Sequence, residues 1–317
     1  MIRLPGLKKK QRNSVLNGIS IESDGVACVE LSTKNGLHIL TAGYESYEEG
    51  QWQVALERVL KAQKIDGPLY ISLSGSFYNL LLIDAPDVPD EEMADAIKWR
   101  VKDLINQPID SVSVQYFNLP EDAYRGRMNM VYVAVVENAI IKQIASVCDD
   151  LGIDIQSITI EDLSLSNLVF SSGVTEGDST GIVSLGAHEG QMRLLEYGNL
   201  YLARNLDIGV DRLNGLNEDE LSEYDLAQCN EMMFDIKRSL DYYESQLGKG
   251  MVNRVIIMPA DVNTVRLASV LNEKMDVSVQ PWHWQNSENI SNESVSTEML
   301  DQCISAVGAV AGGWLEN

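Results

Sequence analysis

GISIESDGVACVEL, residues 18–31, decides the fold. An apolar run, the polar Ser23-Asp24-Gly25 and a second apolar run read as strand, turn, strand. Asn35-Gly36 then leads into a third apolar run over 37–44, and Asn-Gly between such runs is a strong hairpin signal. The arrangement returns in GIVSLGAHEGQMRLLEYGNLYLARNLDIG, residues 181–209: strands over 181–185, 192–196 and 200–206, with turns at 186–190 and at Gly198-Asn199. Two such blocks, roughly 165 residues apart, imply two related halves. A chain of 317 residues also exceeds what a single core comfortably holds, which favours two lobes.

Working outward, strands alternate with helices. Trp52, Leu56, Val59 and Leu60 put an apolar stripe on a helix over 52–63, and short strands follow at 69–73 and 80–83. Past Pro86, the acids Asp90, Glu91 and Glu92 open a helix, and Lys98, Arg100 and Lys102 stand near its end, as the helix dipole favours. Strands at 112–117 and 130–136 and a helix over 139–151 complete a β/α unit spanning 86–153. The second half predicts a long helix over 225–247, a strand at 254–258 and a helix over 263–274 with Asn263 as its N-cap. A polar flexible loop follows over 285–297, then a terminal helix over 299–314 whose Ala306, Gly308, Ala309, Gly312 and Gly313 predict close backbone packing.

Composition narrows the function. Twenty-four Lys and Arg against 47 Asp and Glu give a net charge of −23, which repels a phosphate backbone, so nucleic acid is not expected as a partner. The exception is a basic tail, residues 1–14, where Arg3, Lys8, Lys9, Lys10 and Arg12 read as a solvated segment or as a contact for anionic lipid headgroups, a peripheral membrane association. No apolar h-region follows it and no run of 18 apolar residues occurs, which predicts a cytoplasmic chain. Cys28, Cys148, Cys229 and Cys303 are scattered, as are His38, His188 and His283, so neither a disulfide framework nor a metal site is expected. There is no G-x-S-x-G, H-E-x-x-H, P-loop or G-x-G-x-x-G pattern. Glu161 and Asp162 form a helix N-terminal acid pair.

Together with APDVPDEEMADAIKWRVKDLI (85–105), VYVAVVENAIIKQIASVCDDLGIDIQSITIEDLSLSNL (131–168) and DIKRSLDYYES (235–245), the two hairpin segments resemble the actin/FtsA superfamily. Within it they resemble the PilM proteins of type IV pilus assembly, including the MSHA pilus (MshI) branch. The resemblance runs from Gly18 to Trp314 and implies an α/β, two-lobed actin-like ATPase fold with an inserted β/α subdomain. The implied divisions are the tail at 1–14, lobe 1 at 15–85, the insert at 86–153, a return and inter-lobe segment at 154–179, and lobe 2 at 180–317 with a terminal helix returning to lobe 1.

In that family two hairpin loops hold ATP phosphates by backbone N–H groups, and each carries an Asp for magnesium beside a Gly. Here Ser20 stands at the first Asp position and Glu22 at the Gly, ahead of Ser23, Asp24 and Gly25, while Ser184 replaces the second Asp and Gly186 is kept. A carboxylate about 4 Å from a phosphate oxygen repels it by roughly 4 kcal/mol. The adenosine loop is Met258-Pro259-Ala260-Asp261, without glycine, and only Asp235, Lys237, Arg238 and Ser239 resemble ribose-side contacts. The resemblance therefore implies a degenerate site: no hydrolysis, and no ATP or magnesium as a working cofactor.

What remains is binding. In PilM-like proteins the insert and first lobe take the cytoplasmic N-terminal segment of a PilN-like bitopic inner-membrane protein. The residues expected to meet it here are Ile97, Trp99, Val101, Leu104 and Ile105, with Tyr116, Phe117, Met128 and Met130 along an apolar strand edge that could accept a peptide strand. A link to the pilus assembly ATPase is implied by the same resemblance. An FtsA-class nucleotide-dependent switch or filament former, or a GspL-like secretion platform protein, are the alternatives.

Overall fold

The computed structural model describes residues 15–48, 50–173, 179–218 and 220–315; the basic tail lies outside the described residues. By packing, the chain forms two units. Among the described residues, one comprises those up to Leu119, Met128–Ser171 and those from Asn289 on, and the other comprises Pro120–Arg127 and those between Ser172 and Glu288.

In the first unit, β1 (Val15–Ile21), β2 (Gly25–Ser32) and β3 (Leu37–Ser46) form the antiparallel meander that the opening stretch predicts. Helix α1 (Trp52–Gln63) buries its Trp52, Leu56, Val59 and Leu60 stripe and ends at Lys64 in the left-handed region, φ 48°. Strand β4 (Leu69–Leu73) adds parallel to β1. Next come β5 (Tyr78–Asp84), α2 (Asp90–Val101), β6 (Val112–Asn118), β7 (Met130–Glu137) and α3 (Asn138–Asp150). Strand β8 (Ile155–Ile160) pairs parallel with β4, and α4 (Glu161–Ser171) follows directly.

Strands β5, β6 and β7 make a separate antiparallel sheet in the order β5-β7-β6. Ile83, Val131, Val133 and Val135 pack beneath Ile97 and Val101 of α2. On its other side the sheet's Tyr78, Ala134 and Val136 join Leu56, Leu60, Ile144 and Cys148 in the main core. The insert is thus not a free-standing body, because α3 covers the principal sheet.

The second unit holds β9 (Ser179–Leu185), β10 (Gly190–Glu196), β11 (Asn199–Leu206), α5 (Glu223–Ser245), β12 (Arg254–Met258), α6 (Val262–Lys274) and β13 (Ser278–Pro281). Its sheet order, β11-β10-β9-β12-β13, repeats the first unit's β3-β2-β1-β4-β8 strand for strand and in the same parallel and antiparallel senses. Helix α5 begins two residues before the predicted start because Ser222 and Asp225 close a reciprocal capping box.

Three local expectations are corrected. Asp261, not Asn263, caps α6: its carboxylate accepts from the Thr264 N–H at 2.8 Å. The stretch 285–297 is not a featureless loop, since β14 (Ile290–Asn292) pairs parallel with β3 and buries Ile290. The terminal helix is two, α7 (Thr297–Gln302) and α8 (Ile304–Leu315), interrupted at Cys303, whose thiol lies 3.6 Å from the Gly43 carbonyl oxygen.

Helix α8 lies across β1 and β4 and against α4 where side chains are missing. A Cβ on Gly18 would meet the Ala306 carbonyl oxygen at 2.4 Å, and one on Gly308 would meet the Ser164 carbonyl oxygen at 2.2 Å. The predicted role of the small residues in the terminal helix, close backbone approach, is the observed one.

Candidate functional site

In the first unit the β1–β2 turn brings together Ser20, Glu22, Ser23, Asp24 and Gly25. Side chains alternate along β1, so Ile19 and Ile21 enter the α1–α3 core while Ser20, fully buried, faces α8. The Glu22 N–H donates to the Gly25 carbonyl at 2.8 Å, closing the turn, and Tyr47 Oη donates to the Glu22 carbonyl. The Tyr44 ring packs over Gly25, 2.1 Å from where a Cβ would be, so a larger residue there would have to displace that ring.

The Glu22 carboxyl is half-buried. Loss of hydration, and then the negative charges of Glu161 and Asp24, push its pKa up to about 8. Tyr44 and Tyr47 beside it are also raised, first by burial and then by Asp24. Asp162, next to Glu161 on α4, is buried and accepts from Tyr78 Oη at 2.5 Å, so the acid pair divides into one structural member and one that faces the turn.

In the second unit the β9–β10 turn carries Ser184 and Gly186. The Gly186 N–H donates to the Glu189 carbonyl at 2.9 Å, and the Val210 and Asp211 N–H groups donate to Gly186 and Ala187. Ser184 is held by a residue that the sequence reading missed: Arg193 of β10, completely buried, donates from Nη1 to Ser184 Oγ at 2.7 Å and from Nη2 to Gln191 Oε1. The available signal was a lone arginine within Met192–Leu195, in a strand otherwise apolar at its centre. A buried guanidinium here puts positive charge beside Ser184.

Asp235, Arg238 and Ser239 all lie on α5. Arg238 pairs with Asp235 at 2.8 Å, and Ser239 is buried, donating to the Asp235 carbonyl at 2.9 Å. The Met258–Pro259 bond that opens the glycine-free loop is cis. No group of three or more His, Cys, Asp or Glu among the described residues is placed to hold a metal ion.

The expected partner residues divide by exposure. Ile97 and Val101 are 0% exposed and form the α2 core contact, so they cannot meet a partner. Trp99, 69% exposed, projects from the opposite face with the Lys102 ammonium 5.2 Å from its ring centroid. Leu104 and Met128 are also exposed, while Ile105 and Tyr116 pack partly on the α2 core. Phe117 lies on edge strand β6 and stacks on Tyr132, centroids 5.4 Å apart. Met130 is not on an edge, because it opens the central strand β7, paired with β5 on one side and β6 on the other. No helix among the described residues is long and apolar enough to cross a membrane.

Comparison with known proteins matches no family model and no curated sequence. Solved structures do match. A chain of a PilM–PilN type IV pilus biogenesis complex superposes with a TM-score of 0.70 at 18% identity, covering 96% of this chain and 99% of that one. The cytoplasmic domain of EpsL, an inner-membrane component of the type II secretion system of Vibrio cholerae, gives 0.52 at 10% identity, covering 92% and 94%. A Bacteroides thetaiotaomicron protein of actin-like ATPase fold and unknown function gives 0.51 at 12%, covering 92% and 96%. With its duplicated sheets and its inserted three-stranded sheet, the chain has the actin-like ATPase fold.

Proposed function

We propose that the protein is a non-enzymatic scaffold of a type IV pilus assembly platform, of the MSHA (MshI) type, working at the inner face of the inner membrane. It holds the cytoplasmic N-terminal segment of a PilN-like membrane protein and links it to the pilus assembly ATPase. The observation that carries this reading is the near-complete two-way coverage of the chain from the PilM–PilN complex. The EpsL similarity supports a second reading, a type II secretion platform protein, which differs in the membrane protein captured.

Removing 86–153 would strip α3 from the main core, so point variants on the intact chain are the sound test. A synthetic N-terminal segment of the PilN-like protein should bind the full chain in calorimetry, and Trp99→Ala should weaken it at least fivefold if Trp99 is a contact anchor. No binding by the unaltered chain would sink the proposal.

The degenerate-site reading is supported by Glu22 in the first turn and by the Arg193-tied Ser184 in the second. Mg-ATP at millimolar concentration, about 1,000 times a micromolar Kd, would add about 4.1 kcal/mol to a working site. We expect millimolar Mg-ATP to move the melting temperature by less than about 1 °C, and a rise of several degrees would overturn the reading.

A further inference from the structure

We propose that residues 120–127 form a detachable strap, held closed on the second unit by Asp122 and able to lift as one piece when the Asp122–Lys249 pair is broken. The segment leaves β6 after Asn118 and rejoins the chain ahead of β7, yet it packs as part of the second unit. Its grip is almost wholly polar. Asp122 Oδ1 accepts from Tyr201 Oη at 2.7 Å and Oδ2 from Lys249, while Tyr124 and Tyr242 join their hydroxyls at 2.9 Å. The stem of Arg125 rests on Gly248, where a Cβ would come within 2.3 Å of its Cγ. Ala123 is the segment's single fully buried apolar side chain.

Two features make this grip releasable. Tyr124 and Arg125 are successive non-glycine residues in the left-handed region, φ 54° and 57°, a conformation that persists only while the surroundings enforce it. The charges are also unequally placed. The Lys249 side chain is 11% exposed and keeps a second partner in Glu196, whereas the Asp122 side chain is 59% exposed. Lifting Asp122 into water therefore strands no lone buried charge, because Lys249 stays paired with Glu196. A segment tied by a few salt-screened polar contacts opens well before the fold does.

Arg125 and Arg127 are exposed and supply trypsin sites inside the strap. Native-state trypsin digestion of the full chain, read by mass spectrometry, should cut there first, several-fold faster in about 0.5 M than in 0.05 M NaCl. Asp122→Asn should accelerate those cuts at least fivefold at low salt while cuts at other Lys and Arg sites and the melting temperature stay unchanged. Equal rates for Asp122→Asn and the unaltered chain would overturn the proposal, as would acceleration spread evenly over all sites. Lys249→Met would expose Glu196 to the loss of its partner, so Tyr124→Phe serves as the second variant: it should show a smaller acceleration confined to the same two sites, and no acceleration would count against a strap held at both ends.

Discussion

Replacing Gly308 with alanine should destabilise the protein by about 3 kcal/mol, the upper end for forcing an extra carbon into a close-packed contact. The added Cβ would lie 2.2 Å from the Ser164 carbonyl oxygen and 2.6 Å from its carbonyl carbon. Both are main-chain atoms of α4, so no side chain can rotate out of the way and one helix must move off the other. Movement of α8 is resisted in turn by Gly18 against Ala306 and by Gly313 against the Tyr70 ring. The expected fall in melting temperature is roughly 6–12 °C. Gly250→Ala is the control: nothing lies within 4 Å of its Cβ position, and its change should stay within about 0.5 kcal/mol. If Gly308→Ala melts within 2 °C of the unaltered chain, the α4–α8 contact is looser than described.

That contact was legible in outline, because five small residues in one apolar helix have little use except close approach. The duplicated meanders were legible in more detail. Turn residues and period-2 apolar runs are local signals, and they located β1–β3 and β9–β11 to within a residue or two. What failed depended on distant partners. The stretch 285–297 reads as polar loop, but Ile290 finds β3, and the Glu288 and Asn289 stretch bonds to the Ser172 and Ser171 carbonyls. Asn263 is as good a capping residue as Asp261; only the backbone direction after Pro259 chooses between them.

The site was legible as substitutions and illegible as surroundings. Ser20, Glu22 and Ser184 stand out against a family pattern, but nothing local in the sequence says that Arg193 ends beside Ser184, since that follows from the β9–β10 register pairing Ser184 with Gln191. Ile97 and Val101 illustrate the reverse. An amphipathic stripe is visible in sequence, yet whether it meets a core or a partner depends on the three-stranded sheet beneath α2, which the stripe itself does not encode.

Glu22→Gln should stabilise the protein in alkali and leave it unchanged in acid. The Glu22 carboxyl holds its proton up to about pH 8 in the folded chain against an ordinary 4.5, so the folded state binds the proton more tightly than the unfolded one. Unfolding then releases a proton, and stability falls as pH rises from about 4.5 through about 8 and levels off beyond, where a charge is held next to Glu161 and Asp24 with little water. Glutamine keeps the shape but carries no charge, so this slope disappears in the variant. At pH 9 the gain should be on the order of a few kcal/mol, read as a melting temperature higher by several degrees, and at pH 4.5 the two proteins should coincide. The competing outcome has a definite cause. If the Ser20 and Ser305 hydroxyls favour the carboxylate more than burial and Glu161 oppose it, Glu22→Gln will be the less stable protein at pH 9, and the first turn would then be a site built to hold an anion of its own.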